Sequence, residues 1–141
     1  MSILQREIPG ARVLDLYAGS GALGLECLSR GAKSTDFVEK DPRTIAVLRR
    51  NIELLGAIDT AKVHRMDALR FVESLDAGAF DLAVADPPYG GGAAEQLAAL
   101  WLKQPFASIL SVEHDSRKPL PGAGETRRYG SSAITFFRTG E

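Results

Sequence analysis

Apolar residues alternate along the chain between two kinds of stretch. Short, nearly continuous apolar runs end at glycine or aspartate, and they are followed by stretches in which apolar residues recur every three or four positions. The first kind is typical of buried parallel strands and the second of amphipathic helices. The predicted strands span residues 12–16, 34–39, 61–66, 81–85 and 106–113. Because strands and helices alternate, we expect an α/β fold with a mostly parallel sheet and helices on both faces.

Glycine, aspartate and proline mark where the helices begin and end. Gly31 is a stop signal for the first helix. Asp41 suits the N-cap of a second helix and Pro42 its first helical position. Asp67 caps a short third helix, and residues 93–103 are predicted to form a fourth. The apolar positions of the first two helices are Leu23, Leu25, Leu28, Ile45, Leu48, Ile52 and Leu55.

The end of the chain follows a different pattern. Residues 126–129 and 133–138 are predicted to form a hairpin around Gly130 and Ser131, which adds antiparallel pairing to the sheet. Ligands of open α/β sheets bind at the carboxyl ends of the strands. The positions of interest are therefore 17–21, 39, 67, 86–89 and 113.

Composition narrows the class of protein. A length of 141 residues fits one domain over residues 1–141. The chain has one cysteine, Cys27, so an internal disulfide is impossible, and we expect this cysteine to be buried. Because the chain has only two histidines besides it, we also expect no metal site. No apolar run approaches the roughly 20 residues of a membrane helix and residues 1–9 lack a signal-peptide core, so we expect a cytoplasmic protein without a membrane partner. The net charge of −1 means that nucleic-acid binding would need a local basic surface.

Residues 15–24 contain the spacing Gly-x-Gly-x-x-Gly directly after the first strand. Glycines there let the backbone turn tightly and approach a ligand closely. The loop suits either a dinucleotide pyrophosphate or the methionine end of S-adenosylmethionine. Asp15, four residues before Gly19, favours S-adenosylmethionine, because a carboxylate suits an ammonium and a sulfonium.

Glu39 ends the next strand and can accept hydrogen bonds from two ribose hydroxyls. Asp67 and Ala68 can meet the adenine edge, although Asp67 also suits a plain N-cap.

The tetrapeptide Asp86-Pro87-Pro88-Tyr89 directly follows an apolar strand. The prolines lack N–H groups and stiffen the loop, so it presents acceptors with few competing donors. The Asp86 carboxylate and the Pro87 carbonyl can hold the two N–H groups of a nucleobase amino group and aim its lone pair at a methyl donor. Tyr89 offers a flat face on which a flipped base can stack. The motif predicts methyl transfer to an exocyclic amino nitrogen.

Together, these residues resemble the RsmD-type methyltransferases. The resemblance rests on residues 13–24, residues 37–41, the motif of residues 86–89 and the late Tyr129-Gly130-Ser131, and it runs over about residues 8–138. It implies a Rossmann-like class I methyltransferase fold with a seven-stranded sheet. It also implies methylation of the N2 amino group of a guanine in bacterial 16S rRNA, of the guanine 966 type. The substrate would be free 16S rRNA or the small ribosomal subunit, and we expect a monomer.

The resemblance assigns roles to particular residues. Asp15, Gly19 and Gly21 would line the methionine end of S-adenosylmethionine. Glu39 would hold the ribose, and Asp67 with Ala68 the adenine. The target guanine would be held by Asp86, Pro87, Pro88 and Tyr89.

One departure from the family pattern concerns the start of the chain. Members of the family carry a basic segment before the position of Ile8, whereas only residues 1–7 precede it here. We therefore expect this segment to be absent, and a protein that binds the cofactor with little catalysis is an alternative. Several basic residues can contact phosphate or be ordinary surface residues; they are Arg65, Arg70, Arg117, Lys118, Arg127 and Arg128.

Two further alternatives use parts of the same evidence. An amino-methyltransferase acting on another nucleic acid or on a protein would share residues 86–89, but no DNA target-recognition domain is visible in the chain. A nicotinamide oxidoreductase would share the glycine loop, but the proline motif and the lack of an obvious acid for hydride chemistry disfavour it.

Overall fold

The computed structural model describes residues 2–140, with side chains described from Leu4 onwards. Seven strands form one sheet. They are β1 (Arg12–Leu16), β2 (Ser34–Glu39), β3 (Ala61–Arg65), β4 (Phe80–Ala85), β5 (Ala107–Asp115), β6 (Glu125–Tyr129) and β7 (Ser132–Arg138). The helices are α1 (Ala22–Ser29), α2 (Pro42–Leu54), α3 (Ala68–Glu73) and α4 (Ala93–Lys103), after a 3₁₀ helix over Ser2–Glu7. The predicted alternation of strands and helices is confirmed.

The strand order across the sheet is β3-β2-β1-β4-β5-β7-β6. Strands β1 to β5 pair in parallel, and β7 pairs antiparallel with both β5 and β6. This is the Rossmann-like class I methyltransferase sheet that the resemblance implied. The predicted hairpin is present, and it joins the sheet through its second strand.

The main difference from the predicted bounds lies in β5. The strand continues two residues past Glu113, because His114 and Asp115 pair with Ala133 and Ser132 of β7. Such long-range pairing leaves no trace in the local apolar pattern, which ends at Val112.

Aspartates begin two of the helices as predicted. Asp41 caps α2 by accepting a hydrogen bond from the Arg43 N–H at 2.9 Å, and Pro42 occupies the first turn. Asp67 caps α3 through the Arg70 N–H at 3.2 Å. The expectation for Leu55 was wrong, because α2 ends at Leu54 and Leu55 is exposed.

The core lies on both faces of the sheet. One layer packs α3 and α4 against β4 and β5, with Trp101 and Phe106 among its largest buried side chains. The opposite layer packs α1, α2 and the 3₁₀ helix against the sheet. Cys27 is fully buried in this layer, as predicted. The two layers fix the sheet, so the loops at its carboxyl edge have rigid supports.

Within residues 2–140 of this structure, no helix has the length and apolar character needed to cross a membrane.

Candidate active site

The loops after β1 and β4 leave the sheet side by side. These two strands are parallel neighbours, and Leu16 at the end of β1 pairs with Ala85 at the end of β4. The chain runs outward from β1 to β2 on one side and from β4 to β5 on the other. Such a switch point opens a crevice at the carboxyl ends of the strands, which is where ligands of this architecture bind. The fold thus brings the glycine loop and Asp86 together.

Glycine is favoured at each of the three motif positions, 19, 21 and 24, for a different structural reason. Gly19 has a φ of +58°, and a methyl group there would meet no atom within 4 Å beyond its chain neighbours. Its open side is a place where a ligand can approach the backbone. Gly21 has a φ of +86° and precedes α1, and a methyl group there would collide with the Leu48 side chain.

Gly24 allows α1 to lie against the sheet. A methyl group at Gly24 would overlap the Phe37 ring and would come within 2.8 Å of the Thr35 methyl group and 2.9 Å of the Asp15 carboxylate. The Thr35 hydroxyl donates to the Gly24 carbonyl at 3.3 Å. The third glycine of the motif therefore serves helix–sheet packing.

Asp15 lies behind the glycine loop. Its side chain is 2% exposed, and its Oδ2 accepts the Gly24 N–H at 2.9 Å. Burial raises the pKa of Asp15 to about 7, although the hydrogen bond from Gly24 acts in the opposite direction. The structure shows Asp15 as a support of the loop, and its contact with the methionine end of a cofactor stays a prediction.

Glu39 connects the end of β2 to the glycine loop. Its Oε1 accepts the Gly19 N–H at 3.0 Å, and its Oε2 accepts the N–H groups of Lys40 at 3.1 Å and Asp41 at 3.0 Å. These bonds hold the half-buried carboxylate at the crevice. Its contact with a ribose stays a prediction.

A small cleft continues from Glu39 towards the start of α3. It is lined by Tyr17, Val38, Glu39, Lys40, Met66, Asp67 and Ala68. Asp67 and Ala68 are thus beside Glu39, in the order expected for adenine next to ribose. Asp67 is also the N-cap of α3, so one of its two proposed roles is confirmed and its contact with adenine stays a prediction.

Tyr17 also lines this cleft, and no particular role was predicted for it beyond its position directly after β1. It has a φ of 58°, which is uncommon for a bulky residue and often marks a functional loop. Burial, together with the negative Asp67, raises the pKa of Tyr17 to about 12. Its position between a strand and Gly19 was the available signal, but a positive φ cannot be recognised from periodicity.

The loop of residues 86–89 begins directly after β4, which ends at Ala85. Asp86 is exposed, Pro87 is buried and Tyr89 is 48% exposed. The Tyr89 hydroxyl donates to the His114 carbonyl oxygen at 3.1 Å and lies 2.8 Å from the Ser132 Oγ. The ring is thus anchored to β5 and β7 while part of it faces solvent. Neither anchor could be predicted from local sequence, because they lie 25 and 43 residues away.

A cavity of about 150 Å³ opens beside Asp86. Apolar side chains form most of its lining, with polar groups near Asp86. The lining residues are Leu4, Leu23, Val84, Ala85, Asp86, Ser111, Glu113, Tyr129, Ile134 and Phe136. Burial and the adjacent Asp86 carboxyl group raise the pKa of Glu113. Tyr129, which the resemblance had singled out, is 58% exposed at this cavity.

The basic residues singled out from the sequence differ in their surroundings. Arg117 pairs with Asp115 at 2.9 Å, and Arg127 pairs with Glu125 at 3.1 Å. Arg128 is exposed on β6, next to Tyr129. Phosphate binding by the basic side chains stays a prediction.

The sheet order, the glycine loop and the acidic proline motif together define a class I S-adenosylmethionine-dependent methyltransferase. A crystal structure of an RNA methyltransferase from Salinibacter ruber in complex with S-adenosyl-L-homocysteine has this fold, with a TM-score of 0.71 at 14% identity. The match covers 97% of this chain and 90% of the Salinibacter chain. A structure of a conserved hypothetical protein from Streptococcus pyogenes matches at 33% identity with a TM-score of 0.77, over 91% of this chain and 85% of its own.

The chain belongs to the RsmD family, whose model is described as Conserved hypothetical protein 95 and matches residues 1–138. The family expected from the sequence is therefore confirmed. Ribosomal RNA small subunit methyltransferase D of Haemophilus influenzae is 36% identical over 114 residues, which are 76% of this chain. The match spans 58% of the length of that relative.

Proposed function

We propose that this protein methylates the exocyclic N2 amino group of a guanine in 16S rRNA, with S-adenosylmethionine as methyl donor. The observation that carries the proposal is the pairing of Leu16 with Ala85, which brings the glycine loop and Asp86 out of the sheet together. A cofactor held by the first loop would lie next to a base held by the second. The target of the guanine 966 type is a finer expectation from the family resemblance.

The residues present fit the cofactor. Gly19 leaves open space above its Cα, Glu39 stands at the crevice, and the cleft beside it ends at Asp67 and Ala68. We assign the methionine end to Gly19 and Gly21, with Asp15 supporting that loop from behind, the ribose to Glu39 and the adenine to Asp67 and Ala68. When bound, the cofactor supplies a methyl group on a positively charged sulfur.

Asp86 and Pro87 act on the amino group of the base. The nitrogen lone pair is delocalised into the ring, so it is a poor nucleophile. The Asp86 carboxylate and the Pro87 carbonyl accept its two N–H groups and direct the lone pair at the methyl carbon. In-line placement of this kind is worth up to about 7–11 kcal/mol in ideal cases. When the N–C bond forms, the bond between the methyl carbon and the sulfur would break, with its electron pair left on the sulfur. The nitrogen is then cationic, and the Asp86 carboxylate takes its proton.

Tyr89 and the prolines position the base. The exposed part of the Tyr89 ring offers a stacking face, and its two hydrogen bonds to β5 and β7 keep the ring in place. Pro87 and Pro88 limit the motion of the loop. The name of the Haemophilus relative and the exposed Arg65, Arg70 and Arg128 support rRNA as the substrate.

Transfer of labelled methyl groups tests the proposal. The protein is incubated with labelled S-adenosylmethionine and either naked 16S rRNA or unmethylated small subunits, and the labelled nucleotide is identified. We expect label on a guanine N2. Asp86→Asn should lower the rate at least about 100-fold while calorimetry shows unchanged affinity for the cofactor. Asp59→Asn, at an exposed position outside the site, is the matched control.

Three outcomes would contradict the proposal. Cofactor binding without any label in RNA would favour a protein that binds the cofactor without catalysis. Label in DNA or protein would favour another amino-methyltransferase. Calorimetric binding of NAD and not of S-adenosylmethionine would exclude methyl transfer altogether.

A further inference from the structure

Glu113 lies one strand away from Asp86, at the same level of the sheet. Ala85 of β4 pairs with Val112 of β5, so the residues that follow them, Asp86 and Glu113, are neighbours. Side chains alternate between the faces of a strand, so Glu113 shares a face with Ser111, which lines the same cavity. Glu113 therefore stands at the rim of the cavity beside Asp86.

The carboxyl groups of Asp86 and Glu113 belong to residues that line the same cavity. No hydrogen bond or ion pair from another described residue reaches either group, while Arg117 and Arg127 pair with Asp115 and Glu125 instead. Burial and the neighbouring Asp86 carboxyl group raise the pKa of Glu113. Such a pair is well matched to a ligand that brings two neighbouring N–H donors.

The rest of the cavity suits a flat ring. Its lining includes the apolar Val84, Ile134 and Phe136, with the exposed ring of Tyr129 at the edge. An apolar cavity of about 150 Å³ can accept a benzene ring. Enzymes that flip a base read it through hydrogen bonds to its pairing edge and through stacking. Among the common bases, guanine is the one with a ring N–H directly beside an exocyclic amino group.

We propose that Glu113 determines specificity for guanine by accepting the N1–H of the target base while Asp86 accepts an N–H of its N2 amino group. The inference rests on the proposed function, because it assumes that a guanine enters the site. A base with a lone pair at the corresponding ring nitrogen would face the Glu113 carboxylate and be repelled. Sites built to bind an N–H can reject an analogue that lacks it by as much as about 10⁴-fold.

The test changes the pairing edge of the target base. The guanine that the wild-type protein labels is replaced by 2-aminopurine in 16S rRNA ligated from fragments and reconstituted into small subunits. 2-Aminopurine keeps the amino group but lacks the O6 carbonyl oxygen and has a ring-nitrogen acceptor in place of N1–H. We expect the wild-type protein to prefer guanine by at least about 100-fold in kcat/KM.

Glu113→Gln should change this preference. The amide of glutamine can donate to the ring nitrogen of 2-aminopurine, so the rate on guanine should fall and the rate on 2-aminopurine should rise. The preference should then drop to within about tenfold of unity. Affinity for S-adenosylmethionine should be unchanged in calorimetry. Glu73→Gln, an exposed glutamate on α3, is the matched control and should leave both rates within about twofold of the wild type.

Several outcomes would overturn the inference. If Glu113→Gln lowers both rates equally, Glu113 is only a structural neighbour of Asp86. Glu113→Asp gives a second reading if the glutamine variant does not fold: it should keep the preference for guanine at a reduced rate, and loss of the preference would count against the role. Failure of the wild-type protein to label any guanine would instead be a failure of the proposed function, and the inference would fall with it.

Discussion

The buried carboxylate of Asp15 in β1 accepts the N–H of Gly24 in α1 at 2.9 Å. The same short distance that permits this bond leaves no room for a side chain at Gly24. The two residues therefore join the end of the first strand to the helix behind the proposed cofactor loop.

Asp15 should make stability depend on pH. Its pKa rises from 3.8 to about 7 in the folded protein, so between these values the folded state keeps a proton that the unfolded state has lost. The stabilisation is present at low pH, and the free energy of unfolding should fall as pH rises from about 4 to about 7, by at most roughly 4 kcal/mol. Asp15→Asn keeps an acceptor for the Gly24 N–H and should remove this slope. Urea unfolding at a series of pH values measures it, with Asp59→Asn as control, and an equal slope in Asp15→Asn and wild type would contradict the assignment.

Gly24 and Gly19 should respond differently to alanine. Gly24→Ala places a methyl group against Phe37, Thr35 and Asp15, so we expect a loss of about 1–3 kcal/mol in the free energy of unfolding. Gly19→Ala meets no such contact and should lose only about 1 kcal/mol, because of its positive φ. Affinity for S-adenosylmethionine should nevertheless fall in Gly19→Ala. Chemical unfolding and calorimetry separate the two effects, and equal destabilisation would argue against the packing role of Gly24.

Glu39 should stabilise the loops that follow β1 and β2, because its carboxylate bonds to the backbone of both. Its carboxylate accepts three backbone N–H groups. In Glu39→Gln an NH2 group, which donates, replaces one of the two carboxylate oxygens that accept these N–H groups. We therefore expect a loss of about 1–3 kcal/mol in the free energy of unfolding. Affinity for S-adenosylmethionine should fall at least about tenfold if Glu39 also holds the ribose. Glu53→Gln, at an exposed position on α2, is the control. Calorimetry that shows unchanged affinity would limit Glu39 to a structural role.

Tyr89 should act mainly through its ring. Tyr89→Phe keeps the stacking face but loses the bonds to the His114 carbonyl and Ser132. We expect the loss of kcat/KM in Tyr89→Phe to stay within about tenfold, because the two lost hydrogen bonds, each worth about 0.5–1.5 kcal/mol of stability, hold the ring in place and do not contact the base. Tyr89→Ala should lose about 1–3 kcal/mol of base stacking, which is about 5- to 150-fold. Steady-state kinetics on the RNA substrate measures both, and an alanine variant as active as the phenylalanine variant would show that the base does not stack there.

Local patterns were sufficient for most of the fold. The alternation of apolar runs with amphipathic stretches located the strands and helices, because periodicity depends on residues a few positions apart. Asp41 and Asp67 were recognised as helix caps for the same reason, since each bonds to an N–H within three residues. The glycine loop and residues 86–89 were visible because each is a continuous motif.

The sequence by itself thus determined the class of fold, the family and the two loops that carry the proposed site. Only the tertiary structure placed Glu113 beside Asp86, anchored Tyr89 to His114 and Ser132, and turned Asp15 towards Gly24. Each of these relationships joins residues that are distant along the chain or depends on the register between strands. Burial, the shared cavity of Asp86 and Glu113, and strand register arise only when the sheet assembles, because they depend on which surfaces meet and not on the order of neighbouring residues.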